Sequence, residues 1–255
     1  MKDQQSLLIF DDKDQMSGFM VRKWEEISEE AIERKGVFAA ALSGGKTPVN
    51  FYQTLAENKG MLSWNKTHLF LVDERFLSFE DKDSNYRLLR NTLLDKIEIS
   101  QENIHPIPTG SSTPQISARV YEEDLRIFFK LRSEQYPEFD LILLGIGEDG
   151  HTASLFPGSP VLKERDSLAA AVILDEIKHH RITLTLPVIN HARQVVFLVS
   201  GKGKASVLKK VVSQKDPSLP ASMVNPDRGR LLFLSDSEAA SMVTPLAGKE
   251  GFHHV

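Results

Sequence analysis

Short, nearly continuous apolar runs punctuate this chain at 37–42, 68–72, 139–144, 169–174, 181–186, 194–199 and 230–234. Continuous rather than alternating hydrophobicity marks strands buried on both faces, as in a parallel sheet. Between many of these runs the apolar spacing becomes helical. Met16, Phe19, Met20, Trp24, Ile27, Ala31 and Ile32 fall on one stripe, and Gly36 stands where a left-handed residue would end that helix. Thr47-Pro48 reads as an N-cap followed by proline at the first helical position, opening a helix through Leu55. Further helices are predicted over 86–97, 114–131 and 203–212. Strands alternating with helices predict an α/β fold: a doubly wound, mostly parallel sheet with helices on both faces. The proline-bearing stretches 104–113 and 216–228 read as surface connections rather than linkers, so one domain is expected over 1–255.

Composition narrows the chemistry. A chain of 255 residues buries enough surface to fold without staples. It has no cysteine, which removes thiolate catalysis and cysteine-based metal sites and fits a reducing compartment. A net charge of -4 argues against nucleic acid as a partner. The amino terminus, Met1-Lys2-Asp3-Gln4-Gln5, is polar, and the apolar run behind it is too short for a signal-peptide core. No run approaches the roughly 20 apolar residues of a membrane span. A cytoplasmic protein with no membrane partner is expected.

Four turns after predicted strands carry the reactive side chains. The carboxyl ends of strands are where open α/β sheets bind ligands. Leu42-Ser43-Gly44-Gly45-Lys46-Thr47-Pro48 joins a strand to a helix. Its glycines allow close approach to a ligand, the helix offers unpaired N–H groups, and Ser43, Lys46 and Thr47 add donors, which suits a phosphate. It also serves as a plain strand-to-helix turn, and it lacks the Walker A spacing. Asp73-Glu74-Arg75 follows the next strand: a guanidinium there grips an anion, and a neighbouring carboxylate binds sugar hydroxyls. A solvated Asp–Arg pair is the alternative. Ser84-Asn85-Tyr86-Arg87 opens the next helix and can line the same mouth or act only as a helix start. Gly145 to Gly150 matches G-x-G-x-x-G, but Pro157, Gly158 and Pro160 leave no room for the long helix a dinucleotide fingerprint needs. Within this block His151 is a candidate general base or a structural histidine bonded to backbone, and Asp149 either orients it or binds the sugar. Ser200-Gly201-Lys202-Gly203-Lys204-Ala205 places Lys204 in a first helical turn, unfavourable unless an anion lies nearby. Arg181, at the start of the preceding strand, adds positive charge. Zinc-site spacings and the serine-hydrolase elbow are missing, so no metal site is expected.

In order along the chain, these motifs resemble those of the 6-phosphogluconolactonase family, within the larger glucosamine-6-phosphate deaminase-like superfamily. The resemblance is carried by Ser43 to Pro48, Asp73-Glu74-Arg75, Ser84 to Arg87, the block Gly145 to Pro157, Arg181-Ile182-Thr183-Leu184-Thr185, and Ser200 to Ala205. It implies a Rossmann-like sheet of the deaminase/lactonase type and hydrolysis of a small-molecule partner, 6-phospho-D-glucono-1,5-lactone, in the oxidative pentose phosphate pathway, with no cofactor. It implies a base at His151, and substrate or phosphate contacts at Gly44, Gly45, Lys46, Thr47, Arg75 and Lys204, with Arg181 a further carry-over. The related deaminases carry Asn-Glu-Pro where this chain has Leu155-Phe156-Pro157. Phe156 cannot transfer a proton, which favours lactone hydrolysis over deamination of glucosamine 6-phosphate. A non-catalytic sugar-phosphate sensor is the remaining alternative, since fold alone does not fix function.

Overall fold

The computed structural model describes residues 5–58, 63–243 and the strand at 252–254. Met1 to Gln4 of the polar amino terminus lie outside the described residues. The chain opens with β1 (Gln5–Phe10) and α1 (Lys13–Lys35), followed by β2 (Phe38–Leu42), α2 (Thr47–Glu57) and β3 (Thr67–Leu71). After β4 (Asp73–Arg75) come α3 (Asn85–Thr92), β5 (Ile104–His105), α4 (Pro114–Phe128) and β6 (Leu141–Leu144). Then follow β7 (Ala169–Val172), β8 (Arg181–Leu184), α5 (Leu186–Asn190), β9 (Gln194–Val199) and α6 (Ala205–Lys209), which runs on as a π-turn to Gln214. The chain continues through α7 (Pro220–Met223), β10 (Arg230–Asp236), α8 (Ser237–Ala240) and β11 (Phe252–His254).

Eight strands form one sheet in the order β11-β1-β10-β9-β6-β2-β3-β5, and every pairing in it is parallel. The expected α/β class holds. All five residues of β2 and all four of β6 are buried, as their unbroken apolar sequence requires. One face packs Trp24, Phe38, Phe51 and Tyr52 between α1, α2 and the sheet; the other packs Phe70, Tyr121, Phe139 and Phe197. From β2 the order runs outward through β3 to β5. From β6 it runs the opposite way through β9 and β10. The reversal lies between β2 and β6, and ligands of such sheets bind outside the carboxyl ends of strands at that point.

Two predicted strands lie elsewhere. Residues 169–174 and 181–186 were expected in the parallel sheet, but β7 and β8 pair antiparallel with each other, and β8 with β4, in a separate three-stranded sheet. The cause is the connection: only residues 173–180 join them, too few for a parallel crossover but enough for a hairpin. β8 stops at Leu184 because Thr185 leads into α5, with Pro187 in its first turn. β1 was not expected, because its run Leu7-Leu8-Ile9-Phe10 is shorter than the others; it is paired in register with β10 from Gln5 to Phe10. Gly36 ends α1 as expected, with φ 84° and its N–H on the Ile32 carbonyl.

Candidate active site

Four neighbouring strands, β9, β6, β2 and β3, deliver four consecutive turns to one rim, and a cleft of about 400 Å³ opens there. Ser43, Gly44, Gly45, Lys46, Thr47, Asp73, Arg75, His151, Arg181 and Lys204 all line it. Of the site residues expected from sequence, Asp149 alone is not part of the lining, and it touches His151 from behind.

The turn after β2 is held from below. Ser43 Oγ donates to the Leu143 carbonyl at 2.7 Å, and Tyr52 Oη donates to the Ser43 carbonyl at 2.7 Å. Ser43 was expected as a ligand donor; its hydroxyl is instead spent tying β2 to β6. Gly45 has φ 96°, a conformation that favours glycine. Thr47 was expected as the N-cap, but it is the first helical residue. Lys46 holds the cap position with helical backbone and makes no side-chain capping bond. The first N–H groups of α2 therefore have no capping side chain, the arrangement that suits an anion.

After β6 the chain turns tightly. Gly147 N–H donates to the His151 carbonyl at 2.8 Å, and Gly150 N–H to the Gly147 carbonyl at 3.0 Å. Inside this loop the Asp149 carboxylate meets His151 Nδ1 at 2.6 Å. Partial burial would raise the Asp149 carboxyl, but the adjacent imidazole and the N–H groups it accepts from outweigh that and hold it below the ordinary carboxylate range. An ionised carboxylate only accepts, so in the neutral imidazole Nδ1 carries the proton and Nε2 the lone pair. The Phe156 ring lies beside the imidazole, centroids 4.6 Å apart.

The small sheet supplies the opposite wall. Antiparallel pairing sets Arg75 directly across from Arg181. Like charges in such a register repel, and the Nε of each is buried without a partner among the described residues. Burial makes the Arg181 guanidinium a weaker base, with Asp73 favouring its charge and Arg75 opposing it. Beneath them Glu74 is fully buried and accepts from the N–H groups of Arg75, Asn85 and Tyr86 and from Ser84 Oγ. Burial pushes the Glu74 carboxyl up while those N–H donors pull it down. It is a structural clamp between β4 and α3. Asp73, expected to bind sugar hydroxyls, is 4% exposed and already engaged by Ser154 and Asn85.

The fourth turn follows β9. Asp236, at the end of β10, accepts from Ser200 Oγ and from Gly201 N–H, and so fixes the turn that presents Lys204. Lys204 ends a short 3-10 turn, one residue before α6 rather than inside it. Asn85, Glu148 and Ser200 also line the cleft and were not assigned from sequence, although Asn85 belongs to the helix-start motif Ser84-Asn85-Tyr86-Arg87. A second cleft, of about 440 Å³, opens at the amino edge of the sheet. There Arg34 pairs with Asp140 at 2.6 Å and Arg193 with Glu30 at 3.4 Å. Among the described residues no cluster of metal-ligating side chains is found, and no helix is long and apolar enough to cross a membrane.

The comparisons with known proteins agree with this geometry. Residues 11–233 match the family described as glucosamine-6-phosphate isomerases/6-phosphogluconolactonase. A 6-phosphogluconolactonase of Synechocystis sp. is 43% identical over 217 residues, 84% of this chain and 88% of that protein. The 6-phosphogluconolactonase of Rattus norvegicus is 38% identical over 82% of each chain. The crystal structure of 6-phosphogluconolactonase from Thermotoga maritima superposes with a TM-score of 0.77 at 30% identity, covering 91% of this chain and 99% of that one. A turn-built cleft at the sheet's reversal point and these matches lead to one statement: the chain belongs to the glucosamine-6-phosphate isomerase/6-phosphogluconolactonase family.

Proposed function

We infer that this chain is a 6-phosphogluconolactonase, opening 6-phospho-D-glucono-1,5-lactone to 6-phosphogluconate in the oxidative pentose phosphate pathway. The observation that carries this reading is the Asp149–His151 pair, 2.6 Å apart, at a cleft walled by Arg75, Arg181 and Lys204. Nε2 of His151 takes a proton from water as its oxygen bonds to C1 of the lactone, and the carbonyl electron pair moves onto oxygen. Collapse of that intermediate breaks the C1–ring oxygen bond, and the imidazolium returns the proton to the leaving oxygen. Backbone N–H groups of the glycine turns stabilise the transient oxyanion. The phosphate is untouched and serves to orient the ring against the cations and the start of α2. A lactone is already an activated ester, so this general-base route needs no cofactor.

Phe156 decides against the deaminase reading. It packs beside the imidazole at the sequence position where the related deaminases carry a glutamate, and it has no proton to give. The test is an assay at fixed pH with freshly generated lactone, spontaneous opening subtracted, beside an ammonia assay with glucosamine 6-phosphate. Lactone opening is accelerated and no ammonia appears. Ammonia release without lactone hydrolysis would establish the deaminase, and binding of 6-phosphogluconate without turnover would establish the sensor.

Two substitutions separate binding from chemistry. Lys204→Ala raises KM about tenfold and leaves kcat within about twofold, because the phosphate contact is equal in ground and transition states. An unchanged KM would remove Lys204 from the phosphate site. Asp149→Asn lowers kcat about tenfold with little change in KM, since an amide no longer fixes the Nδ1–H tautomer. Wild-type kcat in that variant would show that the carboxylate plays no part in orienting the base.

A further inference from the structure

The residues just past the base reach across to the far wall. Ser154 is fully buried, and its Oγ donates to Asp73 Oδ2 at 2.6 Å. Its backbone N–H is tied to Thr183 Oγ1, on β8, at 3.2 Å. The turn that aims it is strained: Ala153 has φ 52°, between Thr152 and Leu155, whose N–H groups each bond the other's carbonyl. A left-handed non-glycine residue is strained and persists only where its surroundings fix it. Here the turn delivers a hydroxyl to a buried carboxylate.

That carboxylate in turn faces Arg181. Asp73 Oδ2 lies 3.9 Å from Arg181 Nη1, close enough for charge attraction but too far for a hydrogen bond. The same guanidinium rests over the Phe156 ring, 5.5 Å from its centroid. Arg181 is therefore held on two sides while its N–H groups have no hydrogen-bond partner among the described residues. Directly across the strand pair stands Arg75, which repels it.

We propose that Ser154 is a positioning residue for anion binding: its hydroxyl fixes Asp73, and Asp73 holds Arg181 in the cleft against the repulsion of Arg75. This rests on the lactonase reading for the identity of the anion, the substrate phosphate, and it reassigns Asp73 from sugar contact to the support of a guanidinium.

The test measures steady-state kinetics of wild type, Ser154→Ala, Asp73→Asn and the double variant, with inorganic phosphate binding followed by calorimetry. Ser154→Ala raises KM about tenfold, weakens phosphate binding by the same factor and leaves kcat within about twofold. The double variant is no worse than Asp73→Asn alone, because both changes break one chain of contacts. Ser154→Cys, which keeps the size and a weak donor, falls between and covers the case in which alanine impairs folding. Wild-type KM and phosphate binding in Ser154→Ala would overturn the proposal. So would effects of the two single changes that multiply in the double variant, or a loss confined to kcat. The phosphate titration needs no turnover. A wild type that fails to open the lactone while Ser154→Ala still weakens phosphate binding would sink the lactonase reading and leave this one standing.

Discussion

Replacing His151 with alanine is expected to lower kcat about 1,000-fold with little change in KM or thermal midpoint. The expectation follows from where the imidazole sits and what it touches. Its Nδ1 is committed to Asp149, which leaves Nε2 as its only free basic nitrogen. The side chain is 31% exposed and packs mainly against Phe156, so removing it opens no cavity in the core. In the proposed mechanism Arg75, Arg181, Lys204 and the turn after β2 carry ground-state binding, so KM is expected to be spared. A loss of about 1,000-fold corresponds to about 4 kcal/mol of transition-state stabilisation, within the range of a positioned general base. The Asp149 carboxyl is held below the ordinary carboxylate range. Its contribution is complete above that range and is lost only as pH falls through the depressed value, so near neutrality the pair works with an ionised carboxylate. Initial rates corrected for spontaneous lactone opening check the prediction. A variant within about tenfold of wild type would remove His151 from the role of base.

What the sequence revealed and what it hid follow from the range of the interactions. The apolar runs that became β2, β3, β6 and β9 were readable because each is largely buried on both faces, and the strand ends then located all four turns. The residue types at those turns pointed to anion binding without any knowledge of the sheet order. The hidden part depends on contacts between distant segments. Nothing local in Arg181-Ile182-Thr183-Leu184 tells that it lies antiparallel to Asp73-Glu74-Arg75; that pairing alone sets the guanidinium groups face to face. Asp73 reads as a free ligand until Ser154, 81 residues away, is seen to donate to it. Ser43 reads as a phosphate donor until the Leu143 carbonyl, 100 residues away, is seen to accept from it. The short connection at 173–180 did carry a usable signal: it is too brief for a parallel crossover and predicts a hairpin.

Gly147→Ala is expected to cut kcat about 100-fold in a protein that still folds, because the base moves and the rest of the cleft does not. Gly147 has no positive φ to demand glycine; close approach does. A Cβ there would lie 2.1 Å from His151 Nδ1 and 2.4 Å from Asp149 Oδ1, so the imidazole and its carboxylate partner must both give way. Both are exposed enough to swing outward, which relieves the clash without unfolding the loop but breaks the bond that fixes the tautomer. Gly44 is excluded from substitution by a different neighbour: its Cβ would lie 1.9 Å from Asn85 Oδ1, so Gly44→Ala displaces a wall of the cleft and is expected to raise KM instead. The two alanines thus separate the proton-transfer half of the cleft from its binding half. Kinetics with wild-type kcat in Gly147→Ala would mean that His151 reaches the substrate from another rotamer and that its contact with Asp149 is not the working arrangement.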